Sequence, residues 1–414
     1  MTANLLRNFM RNLTEARQVH YVTCENQPDA ERTELNTIRY RIIRNYITGS
    51  KNGVRNSFSI SLQHMIVVFS VLAIVSSSCK KLQNELQNEL PGKIINPVNY
   101  VQTNLVSDTV SNNAARLDST LSNAWGVAIN PAGIFWINVN GTDGSEIYDK
   151  TGVAKRPPVK VPAPSGIVFN ATTDFMITAS SQVPKFIFAS ENGKIYAWAS
   201  GDTARTVADR SAGGSVYKGL ELANDGTANF LFATDFHNGK IDVFDKNYNL
   251  VASKPFMDPM IPAGFAPFNI RLIDSVLYVT YAKQLGPENK DDEKGAGNGY
   301  VNIFNTSGSL VKRFASQGKL NSPWGIEKAP EGFGQGKRVI LIGNFGDGHI
   351  NVYEEGEGEF LRPLTNYGKP VWIDGLWAIT FPDNNVPGDD PNKLYFTAGP
   401  NDEGHGLFGY LTKQ

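Results

Sequence analysis

The sequence repeats itself six times with a spacing of about 50 residues. A short strand-like segment opens with an aromatic or polar residue, continues with a small residue, usually Gly, and ends in apolar residues. It occurs as Trp125-Gly126-Val127, Ser165-Gly166-Ile167, Lys218-Gly219-Leu220, Phe268-Asn269-Ile270, Trp324-Gly325-Ile326 and Trp377-Ala378-Ile379. The second position advances by 40, 53, 50, 56 and 53 residues. A repeat of this length means one small unit stacked on copies of itself.

Each unit carries two further strand signals. One is a solidly apolar run such as Phe186–Ala189, Phe230–Ala233 or Val339–Ile342, as expected of a strand covered on both faces. The other follows a turn and alternates, as in Gly239-Lys-Ile-Asp-Val-Phe244 and Gly348-His-Ile-Asn-Val-Tyr353, its leading Gly supplying the positive φ of a tight hairpin. Three strands per unit with room for a fourth, six times over, predict an all-β, six-bladed β-propeller over residues 100–414. The recurrent Gly fits a strand at the axis, where a Cβ would crowd the next blade. The last unit stops after its third strand, so the extended segment Tyr100–Val106 is expected to supply the missing outer strand and close the ring.

Composition agrees with this reading and narrows function. The chain has 414 residues, 39 of them Gly and 22 Pro, which suits short strands and turns. Its 40 acidic and 39 basic residues nearly cancel, so no basic face for nucleic acid is indicated. Its two cysteines, Cys24 and Cys79, both precede the repeats, leaving them without disulfide, cysteine metal site or cysteine nucleophile.

The segment before the repeats divides differently. Residues 1–53 read as an extension, disordered or not translated. Residues 54–79 read as a lipoprotein signal peptide. Its 11-residue apolar run Met65–Val75 is too short to span a bilayer but suits an h-region, and Ser76-Ser-Ser-Cys79 resembles a lipobox. The run starts late, which suggests a true start near Val54. Cleavage before Cys79 and its acylation would leave residues 80–99 as a polar tether. The expected setting is the bacterial cell envelope, periplasm-facing or surface-exposed, with the membrane as a partner through the lipid.

The strings YVQTNLVSD (from Tyr100), SNAWGVA, TDFHNGKIDVFD, PAGFAPFNI, YVTYAK, NSPWGI, IGNFGDGHINVY, IDGLWAI and YFTAGPNDEGHGLFG resemble a family of bacterial exported proteins of unknown function, and the repeats are more distantly similar to NHL-type propellers. Ala378 stands where that family pattern implies Gly. The resemblance implies fold and export and brings no catalytic residues.

Chemistry-bearing residues gather in the turns between second and third strands. Asp235, His237, Asn344, Asp347, His349, Asn401, Asp402 and His405 form the candidate ligand-binding set, beside Asn238 and Glu403. The same residue types are what tight turns require. By analogy with calcium-binding propellers of the gluconolactonase type, Asn123, Asn269, Asn321 and Asp374 are the candidate metal ligands, although three amides and one acid carry little charge for calcium. The loop Leu285–Gly299 is either a lid or a solvated connection. No G-x-S-x-G, P-loop or H-E-x-x-H motif occurs in the repeats. The expectation is a binding module whose ligand is a protein, glycan or small molecule. The alternative is a metal-assisted hydrolase or lyase at the channel mouth.

Overall fold

The computed structural model describes residues 98–414 apart from 335–336, 383–389 and 391. The proposed extension, signal peptide, Cys79 and most of the tether lie outside the described residues.

The repeats fold as six blades. The innermost strands are Ala124–Ile129, Pro164–Phe169, Tyr217–Asn224, Phe265–Ile273, Pro323–Lys328 and Leu376–Thr380. Each begins an antiparallel meander that runs outward. The third blade is a three-stranded sheet, its fourth strand reduced to a bridge between Phe244 and Leu250. In the sixth blade, Leu407–Lys413 pairs antiparallel with Tyr100–Ser107, from Tyr100 opposite Lys413 to Ser107 opposite Leu407. The expected closure is therefore present, and Arg116–Leu117 adds to it in parallel.

The apolar runs are explained by where their two faces go. In Val339–Asn344, Val339 and Leu341 pack in the seam toward the sixth blade, while Ile340 and Ile342 pack in the seam toward the fourth. In Phe186–Ser190, Phe186 and Phe188 face the first blade and Ile187 and Ala189 the third. Alternate side chains of a strand point to opposite faces, so a strand between two seams must be apolar at every position. Among the described residues six such clusters occur, one per seam of the ring. A seventh, built around Trp125, Trp324 and Trp377, fills the axis.

Every innermost strand carries a register shift against its neighbour at or beside the repeated small residue. Such bulges bend a strand and raise its local twist. The small residue itself answers to the next blade. A Cβ on Gly166 would stand 2.6 Å from Leu220 N, one on Gly219 2.7 Å from Asn269 Cα, and one on Gly325 2.8 Å from Trp377 O. Backbone atoms cannot move aside cheaply, which is the crowding the sequence led us to expect.

Candidate functional site

The two ends of the channel are unlike. At the end where the innermost strands begin, Trp377 is sandwiched between Trp125, at 3.9 Å, and Phe345, at 3.7 Å. Its indole Nε1 donates to Asn123 Oδ1 at 2.9 Å. Trp324, Phe236 and Phe268 complete the cluster. Trp125, Trp324 and Trp377, each at the start of an innermost strand, thus meet at the axis and block it.

A charged layer lies on this plug. Lys218, the first residue of its repeat, is buried beside the Trp125 and Phe236 rings and pairs with Glu191 at 2.5 Å and Asp291 at 3.4 Å. Burial opposes its charge, but Glu191 and Asp291 win and hold the ammonium above the ordinary lysine value. Asp291 belongs to the Leu285–Gly299 loop. That loop is tied down further by Lys294, which pairs with Asp402 at 3.2 Å and lies over the Phe345 ring, and by its Glu288 carbonyl, which bonds to His237 Nδ1 at 2.9 Å. The loop thus covers the plugged mouth. Burial also pushes the Glu403 carboxyl up, with Glu191 and Asp292 adding to the effect against Lys218.

The residues singled out in the sequence fall into several hydrogen-bonded groups at this end, one of which gathers Asn321, Asn344 and His349 on Asp347. Asn269 donates to Trp324 O, and Asn123 donates to Glu403 Oε2 at 2.6 Å. Asn321 Oδ1 accepts from Gly295 N, and exposed Asp374 accepts from Asn401 N. Asp235 accepts from Val216 N and Asn238 Nδ2 within its own turn. Asn344 and His349 both engage Asp347, and His405 engages Asp108. No two of the three histidines share a partner. Among the described residues, no three His, Cys, Asp or Glu side chains are grouped to hold a metal ion.

Among the described residues, the other end is open. The second halves of the innermost strands line a cavity of about 760 Å³, joined toward the plug by a neck of about 30 Å³. Blades one and two give it an apolar wall of Val127, Ala128, Ile167, Val168 and Phe169. The opposite wall carries Glu221, Arg271, Glu327 and Thr380. Arg271 Nη2 donates to Glu327 Oε2 at 2.8 Å, and Thr380 Oγ1 lies 3.2 Å from the same oxygen. Glu221 is buried, its two oxygens accepting from the amides of Leu222 and Leu272 at 2.8 and 2.9 Å. Burial raises its carboxyl above the ordinary range. Arg271 and the two amides pull the other way, and Glu327 adds to the rise.

These four residues escaped the sequence reading, though a signal was there. Aligned by repeat, the residue two after the small one is Ala128, Val168, Glu221, Arg271, Glu327 and Thr380. Polar residues at one register of otherwise apolar strands, in four consecutive blades, mark one surface.

The fold and the axial cavity define the class, a six-bladed β-propeller closed by its N-terminal strand. The chain is 34% identical over 335 residues to Uncharacterized protein R648 of Acanthamoeba polyphaga mimivirus, covering 76% of this chain and 80% of the relative. It is 34% identical over 347 residues to Uncharacterized protein L690 of the same virus, covering 77% and 88%. The chain belongs to the family of these uncharacterised mimivirus proteins. They are viral, whereas the resemblance noted in the sequence is to bacterial exported proteins. No family model matches the chain. Among solved structures, a streptogramin B lyase aligns with a TM-score of 0.45 and 14% identity, over 77% of this chain and 98% of that one. A gluconolactonase from Xanthomonas campestris aligns with a TM-score of 0.43 and 15% identity, over 71% and 89%. These are likenesses of fold.

Proposed function

We propose that this chain is a binding module, exported and lipid-anchored through Cys79 at the cell envelope, that takes a small ligand in the axial cavity. One observation carries the binding site. The channel is blocked by stacked aromatics at one end and opens at the other into about 760 Å³ with an arginine set between carboxylates. Small-molecule sites are concave, mostly apolar, of roughly 300–1,000 Å³, with a few placed polar groups. On the turn-rich face, candidate side chains are engaged with one another and with the covering loop, as Asn344 is with Asp347 and Asp402 with Lys294.

The reading favours binding over catalysis because Glu221 and Glu327 are both already engaged in holding neighbours. The balanced charge of the chain supports the absence of a nucleic-acid partner.

Thermal melting of the full chain against a small-molecule library tests the cavity. Compounds that raise the melting temperature should lose their effect in Arg271→Met and keep it in His349→Ala. The reverse pattern would move the site to the other mouth. Incorporation of a labelled fatty acid, lost in Cys79→Ser, tests the anchor. A stoichiometric divalent cation found by elemental analysis would favour the metal-assisted hydrolase or lyase instead.

A further inference from the structure

The charged wall of the cavity has a composition that selects among head groups. If Glu221, Arg271 and Glu327 are all ionised they carry one surplus negative charge. Burial of Glu221 draws the trio toward neutrality. Lys328, at the rim, is already paired with Asp274 at 2.7 Å and Glu355 at 2.9 Å. An anionic ligand that reached the Arg271 guanidinium would also meet the Glu221 and Glu327 carboxyls on either side of it. A ligand ammonium would meet the Arg271 guanidinium, which is the most exposed group of the trio, its side chain 37% accessible against 13% for Glu327.

The wall instead offers donors and acceptors side by side. Arg271 uses Nη2 toward Glu327 and, at 3.5 Å, Thr380, while Nε and Nη1 donate to no described residue. Glu327 Oε2 accepts from Arg271 and Thr380, and Oε1 accepts from Lys328 N at 3.1 Å. Each carboxylate oxygen has two lone-pair sites. A neutral hydroxyl is the group that can accept from an arginine and donate to a carboxylate at once. Vicinal hydroxyls do so in the spacing such a pair presents.

We infer that the ligand is a neutral hydroxylated ring, a sugar or cyclic polyol with an apolar face or tail, whose hydroxyls bond to Arg271, Glu327 and Thr380 while its C–H surface rests on the wall of Val127, Ala128, Ile167 and Phe169. The inference rests on the axial cavity being the binding site and adds the chemistry of what enters it.

The test holds the tail constant and varies the head. Octyl β-glucoside, octylammonium and octanoate, each below its micelle concentration, are titrated calorimetrically into the full chain. The glucoside should bind saturably and at least tenfold more tightly than either ion. Arg271→Met and Thr380→Val should each weaken the glucoside severalfold or more, as loss of a hydrogen bond to a charged or buried partner does. Thr380→Val leaves every charge in place and so keeps the test open if Arg271→Met does not fold, which circular dichroism reports. Tighter binding of octanoate, lost in Arg271→Met, or of octylammonium, lost in Glu327→Gln, would overturn the head group and leave the cavity as the site. Absence of saturable binding by any of the three would overturn the inference, while library compounds sensitive to Arg271→Met would still uphold the site. Equal binding of all three, indifferent to both substitutions, would overturn both.

Discussion

Gly219 shows how little freedom a single position has near the axis. Its hypothetical Cβ would lie 2.5 Å from Asn269 Oδ1 and 2.7 Å from Asn269 Cα, and the latter cannot swing away. Gly219→Ala should cost about 1–3 kcal/mol, the usual penalty of overpacking, read as a lower denaturant midpoint at unchanged slope. Glu403 makes an electrostatic counterpart. Its carboxyl is pushed up by burial, so folding disfavours its ionised form. A raised carboxyl costs stability above its folded value and nothing below its unfolded one. Glu403→Gln, which can still accept from Asn123, should therefore raise the melting temperature at pH 7–8. The gain should fade as pH falls below about 4, under the ordinary Glu value. A gain that persists into acid would mean the charge is not the cause.

At the scale of elements, the strand Tyr100–Ser107 closes the ring. It covers the edge of Leu407–Lys413 and sends Leu105 and Val106 into the seam with the first blade. Without it the sixth blade would expose an unpaired edge beside an opened seam. A chain lacking residues 100–107 should unfold without a single cooperative transition and associate, as light scattering during refolding would detect. A monomer that melts as sharply as the full chain would show that the ring holds without its closing strand. The covering loop is a second element whose role depends on position, because Asp291 and Lys294 reach Lys218 and Asp402, far away in sequence.

For the whole molecule, the plug and the cavity together decide what the propeller can do. A ring blocked at one mouth is a cup rather than a pore. A ligand held in the cup bridges blades one and two to blades three to six, so it should stabilise the ring as a unit. At a hundredfold excess over its Kd the gain is roughly 2.7 kcal/mol. It should appear as slowed hydrogen exchange in the innermost strands of blades far apart in sequence, such as Gly126–Ile129 and Gly325–Lys328. Protection confined to the surface turns around His237 or His349 would instead place the ligand at the opposite mouth.

The number of blades, the course of the strands and the closure by Tyr100–Val106 are legible in the amino-acid sequence. Those features follow from local patterns: turn glycines, apolar runs that need cover on both faces, and a small residue wherever a neighbouring backbone comes close. It also marked one mouth as rich in Asp, Asn and His, because turn residues are legible from type and spacing. Which mouth is open was decided only in three dimensions. Trp125, Trp324 and Trp377 are each ordinary strand-opening aromatics, and their stacking into a plug arises only when the closed ring brings blades one, five and six to a common axis. Glu221, Arg271, Glu327 and Thr380 likewise lie about 50 residues apart and become one wall by that convergence. Spacing along a chain sets the order of the blades, but the width of the channel and what faces across it depend on how six packed seams close.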